Sequence, residues 1–227
     1  MLQRFFDILF SSIAIITLSP VLVPVIAILK FTGEGEIFYL QKRMGKNIKE
    51  FNLLKFATML KDSANMKNGT VTVKDDPRVL PFGKFLRKSK INELPQLFNI
   101  LLGHMSVIGP RPQTPNYFKN IDTETQKVLL KDRPGLSGIG SIVFRNEEEI
   151  LFGQENHLDY HDKVLTPYKI QLELWYYSKK NIFYYFALIF ITAYVVFSKQ
   201  SNVHWKIFKD LPSPPDILKT HLGFNKK

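Results

Sequence analysis

Apolar and polar positions divide this chain into three stretches. From Phe5 to Phe31, FFDILFSSIAIITLSPVLVPVIAILKF is almost unbroken apolar sequence whose only charges are Asp7 and Lys30. A second apolar block, NIFYYFALIFITAYVVF from Asn181 to Phe197, is shorter and rich in aromatics. Between them, residues 36–180 alternate short apolar runs with turn signals, the pattern of a folded polar domain.

The first run is long enough to cross a bilayer at about 1.5 Å of rise per residue. Pro20 and Pro24 lack amide protons and crowd the preceding turn, which predicts a sharp kink. Thr17 and Ser19 stand just before it, where their hydroxyls can serve a carbonyl that a proline frees. Arg4 precedes the run and Lys30, Lys42 and Arg43 follow it, so the positive-inside tendency holds both ends on one side and favours a re-entrant hairpin over a kinked spanning helix. Signal cleavage is disfavoured, because no small-residue site follows and the run exceeds a usual signal core. The second block falls at the low end of spanning length and reads as an interfacial or buried helix. Tyr176, Tyr177, Tyr184 and Tyr185 suit either a headgroup boundary or a core. After Phe197, the prolines 212, 214 and 215 and the terminal lysines predict a mobile basic tail. The expected organisation is therefore 1–35 membrane helix, 36–200 polar domain and 201–227 tail.

In the polar domain, EIFYLQKRMGKNIKEFNLLKFATML predicts two short strands around a turn at Gly45, Lys46 and Asn47, presenting Lys42, Arg43, Lys46 and Lys55 on one side. TVTVKDDPRVLPFGKFLRKS predicts a loop and then a short basic helix, with Asp75 and Asp76 a turn rather than a metal site. In NELPQLFNILL, Asn92 is placed as an N-cap, Pro95 falls in the first turn, and Leu94, Leu97, Phe98, Leu101 and Leu102 form one apolar face. Glu93 then sits beside the positive end of the helix dipole. SVIGPRP holds Arg111 between two prolines, a rigid guanidinium suited to bidentate contact with phosphate. DRPGLSGIGSIVFRNEEE adds a Pro-Gly turn, flexible backbone at Gly138 and Gly140, Arg145, and Glu147 to Glu149 as a solvated helix start.

Composition narrows the chemistry. A chain of 227 residues with ordinary hydrophobic and charged fractions folds. The absence of cysteine excludes disulfides, thiolate metal sites and cysteine nucleophiles. A formal charge of +11 implies an anionic partner. Two lipid-grade segments and the lack of a stacked aromatic-basic motif argue against nucleic acid.

Taken together, SPVLVPV, KRMGKN, LLKFATM, NELPQLFNILLGHMSVIGPRP, RPGLSGIGS and PYKIQLELWYY resemble the bacterial sugar transferases, the monotopic polyprenyl-phosphate phosphoglycosyl transferases. The resemblance runs in order from about residue 1 to 195. It implies an α+β, predominantly helical fold with a re-entrant N-terminal membrane helix, a small β-ribbon or sheet and amphipathic interfacial helices. It further implies transfer of a sugar 1-phosphate from a UDP-sugar to undecaprenyl phosphate, with Mg²⁺, at the cytosolic face of the bacterial inner membrane, to start a surface glycan. A homodimer stays open.

The family motif carries an Asp-Glu dyad before Leu-Pro-Gln, its Asp acting as nucleophile; here those positions are Asn92 and Glu93. An amide nitrogen has a delocalised lone pair and does not attack phosphorus. An arginine of the family is also replaced by Ala57. The resemblance therefore gives Glu93 as nucleophile or magnesium ligand beside Asn92, with Lys55, Arg87 and Arg111 on phosphate oxygens, Arg145 on uridine or the diphosphate, and Gln96 and Asn99 either orienting groups or simply polar. His104 receives no role. Three routes are open: attack by Glu93, direct attack by the lipid phosphate, or binding without chemistry as a membrane scaffold.

Overall fold

The structure, a computed structural model, describes residues 2–66, 72, 75–152, 154–198 and 202–224. The terminal lysines and most of the stretch before Asp75 lie outside these. The architecture is α+β and predominantly helical, as the sequence predicts.

The first helix, α1 (Leu2–Phe31), continues through both prolines instead of breaking at them. Pro20 cannot donate to the Ile16 carbonyl, and the Ser19 hydroxyl donates to that carbonyl at 2.8 Å. Thr17 does the same to Ile13 O at 2.8 Å. Asp7, Ser11, Leu22, Val25 and Leu29 form a buried stripe, with Ala14, Ile15 and Leu18 packing between them onto Leu97, Ile100 and Met105. The opposite row, including Phe5, Ile13, Ile16 and Val23, is exposed. Both ends of α1 thus rest on the same polar domain.

Strands β1 (Phe38–Met44) and β2 (Glu50–Phe56) pair antiparallel. Their turn carries positive φ at Asn47 and Ile48. The expected single basic face is corrected by the pleat. Tyr39 pairs with Lys55 and Arg43 with Phe51, so Arg43 and Lys55 share one face, whereas Lys42 lies on the other, 3.7 Å from Glu50. After this hairpin, the Asp76 carboxylate is buried against Arg78 at 2.6 Å and serves a turn.

Helix α2 (Pro81–Lys88) seats Leu86 on Phe56 and the C-terminal half of α1. A 3₁₀ turn over Ile91–Glu93 follows, then α3 (Gln96–Leu101). Asn92 is not a cap: the turn closes through Glu93 N to Lys90 O and Leu94 N to Ile91 O, and the Asn92 side-chain oxygen has no partner. The expected apolar face is also revised. Leu97 and Ile100 are buried, whereas Phe98, Leu101 and Leu102 are exposed. The inner side is shared with Asn99, which accepts from Leu54 N and donates to Asn52 O, bracing β2.

Strand β3 (Ser106–Ile108), helix α4 (Thr123–Leu129) and strand β4 (Gly135–Ser137) come next, with β3 and β4 parallel, a ladder the sequence did not reveal. Gly138 is required for close approach rather than flexibility, since a Cβ there would lie 2.2 Å from Gly109 O; one at Gly140 would lie 2.5 Å from the Glu173 carboxylate.

Helices α5 (Ile139–Val143), α6 (Glu147–Phe152) and α7 (His157–Tyr160) lead through a wide turn into α8 (Thr166–Lys179). Helix α9 (Ile182–Phe197) starts at Asn181, whose side chain accepts from Tyr184 N. Leu165, Tyr168, Leu172 and Tyr176 join Tyr185, Leu188, Ile191 and Val195 in the largest core. Tyr176 and Tyr185 are therefore core residues. Asp7, buried inside the molecule, accepts from Tyr185 OH, Ser106 Oγ and Val107 N, each at 2.9 Å, tying α1 to β3 and α9.

The expected mobile tail is corrected over residues 202–224. Helices α10 (Val203–Ile207) and α11 (Asp216–Lys219) return to the domain, where Phe208, Leu211, Leu218 and Leu222 enter the same core. Tyr168 OH donates to Pro212 O at 2.7 Å and Lys179 meets Asp210 at 2.8 Å. The spaced large apolar residues outweigh the prolines that suggested mobility.

Candidate active site

The local chain geometry places the candidate residues before any contact between them. Lys55 is the penultimate residue of β2, on the pleat face it shares with Arg43. Arg87 lies in the last turn of α2, and Lys90 adopts the left-handed conformation that swings the chain into the Asn92–Glu93 turn. Arg111 follows the β3 strand through Gly109 and Pro110; Gly109 N donates to Ser137 O and Pro110 O accepts from Gly135 N, so the turn is pinned to β4.

These elements enclose one cavity of about 1280 Å³. Lys55, Arg87, Asn92, Glu93, Arg111 and Arg145 all line it. Leu29 and Thr32, at the end of α1, form part of its wall, so the ionic site adjoins the apolar helix. Gln96 is set apart: it is buried in a small recess shared with Arg43, Lys55 and Arg111. Asn99 braces β2 and has no place on the cavity, and the His104 ring packs on Phe51.

Glu93 Oε1 lies 3.6 Å from Arg111 Nη2. Burial opposes its charge, but Arg111, Lys55, Lys90 and Arg87 outweigh burial and lower its pKa to about 2. The carboxylate is ionised throughout the physiological range. Burial, with Arg111, Arg43 and Arg87 opposing the attraction of Glu93, lowers Lys55 to about 7. Arg43 is likewise lowered to about 10, by burial first and Arg111 second. Asn92 contributes an inward, buried amide whose oxygen lacks a partner. Glu93 is the ionisable group of that turn.

Two expectations change here. Arg145 lines the cavity, yet its guanidinium donates to Val196 O and Ser198 O at the end of α9. The acids after it do not form a simple solvated start: Glu148 meets Arg87 at 2.7 Å, and Glu147 meets Lys169 at 2.5 Å and His161 at 3.4 Å. Sequence reasoning also missed Lys169 and Glu173, which line the cavity one turn apart on α8. Their i, i+4 spacing was the available signal. Burial raises Glu173 to about 8, against the Arg111 backbone N–H and Lys169, which favour its charge.

Among the described residues, no group of three or more His, Asp or Glu side chains is arranged to hold a metal. The donor set fits a magnesium ion carried on a diphosphate, which typically needs one or two protein carboxylates and takes its other ligands from phosphate and water. Glu93 is one of the carboxylates that line the cavity.

Residues 1–199 match the family described as bacterial sugar transferase. The chain belongs to the bacterial sugar transferase family. It is 37% identical to the exopolysaccharide production protein ExoY of Sinorhizobium fredii, over 64% of this chain and 70% of that protein. It is 32% identical to the UDP-glucose:undecaprenyl-phosphate glucose-1-phosphate transferase of Klebsiella pneumoniae, over 88% of this chain and 41% of the relative. The UDP-N-acetylgalactosamine-undecaprenyl-phosphate N-acetylgalactosaminephosphotransferase of Aeromonas hydrophila is 37% identical over 63% of this chain and 34% of its own length. This sugar transferase thus spans less than half of the two longer relatives. The long N-terminal apolar helix and the family together associate the chain with a membrane.

Proposed function

We propose that this chain transfers a sugar 1-phosphate from a UDP-sugar to undecaprenyl phosphate at the cytosolic face of the bacterial inner membrane, starting a capsule, O-antigen or exopolysaccharide. The observation that carries this reading is the ionised Glu93 in a cation-lined cavity whose wall includes the end of α1. A cavity of that size accommodates a nucleotide sugar, and the apolar helix beside it suits a lipid acceptor. The relatives named for such reactions supply the substrate classes. Contact of both ends of α1 with one domain supports a re-entrant placement in a single leaflet.

In this reading Arg111, Lys55 and Arg87 hold the diphosphate oxygens and orient the β-phosphorus toward Glu93. A bond forms between the Glu93 carboxylate and phosphorus as the bond to the bridging oxygen breaks, and UMP leaves with that electron pair. The lipid phosphate then displaces the carboxylate, giving the diphosphate-linked sugar and regenerating Glu93. Magnesium, when bound, would neutralise diphosphate charge, with Glu93 as its protein ligand where Glu93 is not the nucleophile. The Arg111 contact favours a second route. It makes Glu93 a weak base, whereas a phosphomonoester with a second pKa of about 6 is already largely anionic and can attack directly.

The test is UMP release from a panel of UDP-sugars by the full chain in vesicles with Mg²⁺ and undecaprenyl phosphate. Release with one or a few sugars is expected. Binding of UDP-sugars without release from any of them would replace transfer with the scaffold reading.

A further inference from the structure

Two of the cavity cations, Arg87 and Lys169, are already paired with acids of the chain itself. Arg87 Nη2 lies 2.7 Å from Glu148 Oε1, and Lys169 Nζ meets Glu147 Oε1 at 2.5 Å. Both carboxylates come from the first turn of α6, and both line the cavity. Glu147 keeps a lowered pKa: burial resists its charge, but Lys169, His161 and Arg111 outweigh burial. Arg111 is held charged chiefly by Glu93 against burial, with Glu147 and Glu148 adding to that field. Arg87 is mostly covered, its side chain 22% exposed, whereas Glu148 is 47% exposed.

A carboxylate and a phosphate oxygen make the same charge-assisted contact with a guanidinium. We propose that Glu148 is a displaceable counterion that occupies the phosphate position on Arg87 in the empty enzyme and returns to it when the nucleotide product leaves. Glu147 on Lys169 is the fixed half of the pair, buried deeper and bonded on two sides. The inference deepens the transfer reading above and rests on it. Glu148 then lowers affinity for every nucleotide that uses Arg87, so it limits product retention at the expense of substrate binding. Without it, four cations around Glu93 would hold the departing UMP more tightly.

Binding of UMP and of UDP to the full chain in lipid nanodiscs, measured by calorimetry, separates the alternatives. Glu148→Gln is expected to tighten UMP binding about fivefold, the upper range for a partly exposed ion pair. Arg87→Gln is expected to weaken binding, and adding Glu148→Gln to it should then change nothing. The exposed neighbour Glu149 provides the control: Glu149→Gln removes the same charge and should leave binding near the native value. In turnover, Glu148→Gln should lower the KM for the UDP-sugar and make UMP a stronger inhibitor. Unchanged or weaker UMP binding by Glu148→Gln would overturn the counterion role, since a residue that merely braces Arg87 weakens binding when lost. An equal gain from Glu149→Gln would overturn it as well, reducing the effect to net charge. If the native chain binds neither UMP nor UDP, the transfer reading itself falls and this inference with it.

Discussion

Glu93 in the cavity and Ile16 on the outer row of α1 both sit where water alone would not select them, and they are accommodated in opposite ways. Glu93 is surrounded by Arg111, Lys55, Lys90 and Arg87, which hold its charge against burial. Ile16 is 72% exposed, and Leu102, just past the end of the neighbouring α3, is 71% exposed. The cavity thus matches buried acids with fixed cations, whereas the outer face leaves large apolar side chains uncovered, an arrangement that fits hydrocarbon rather than water as its solvent. Position within a cage makes the first region selective; area and depth make the second region sticky.

Breaking the cage should have the largest effect. Arg111→Gln is expected to lower kcat/KM for UMP release about 10²-fold or more, the scale lost with a charge-stabilising group at a phosphoryl centre. It should also move the acid limb of the pH–rate profile. Glu93 acts as a carboxylate and is lowered to about 2, so native activity persists until well below the ordinary glutamate range. Removing Arg111, the cation that lowers it most, raises that limb toward the ordinary glutamate range. A limb that stays in place would mean that Arg111 does not hold Glu93.

Next in size is the joint between the two regions. Asp7→Ala leaves the donors Tyr185 OH, Ser106 Oγ and Val107 N without their acceptor and should cost about 1–3 kcal/mol, read as a lowered unfolding temperature in nanodiscs. The outer row should respond differently. Ile16→Asp and Leu102→Asp are expected to preserve the fold while each removes about 1.5–3 kcal/mol of apolar transfer, measured as loss from vesicles in co-sedimentation. Loss of fold instead of membrane affinity would place these side chains in a core.

The most conditional effect, confined to high pH, concerns Glu173. Its folded pKa, about 8, lies above the unfolded value near 4.5, so the folded state binds the extra proton and stability falls as pH rises between the two. Glu173→Gln should therefore raise the unfolding temperature relative to native near pH 8, by on the order of ten degrees, and change it little near pH 5. Equal shifts at both values would contradict a buried acid titrating there.

How far the sequence reached follows the same division. Helix α1, the β1–β2 hairpin and helix α9 were legible because long apolar runs and turn residues are local signals, whereas α8 was not read as a helix. The β3–β4 ladder was hidden in two three-residue strands, and α10 and α11 behind prolines. In the site, Glu93, Arg111, Lys55 and Arg87 stood out through motif and spacing. The Asn92 cap was wrong because the backbone of its 3₁₀ turn satisfies itself. Glu147, Glu148, Lys169 and Glu173 escaped because only tertiary packing brings α6 and α8 against Arg87 and Arg111. A charge on a helix surface reads the same locally whether it faces water or a cavity.

The most direct measurement compares UMP release by the native chain, Glu93→Gln and Asn92→Asp under identical lipid and magnesium conditions. The account predicts release by the native chain, a fall of about 10³-fold with Glu93→Gln, and a smaller change with Asn92→Asp. Native-like release by Glu93→Gln would contradict it.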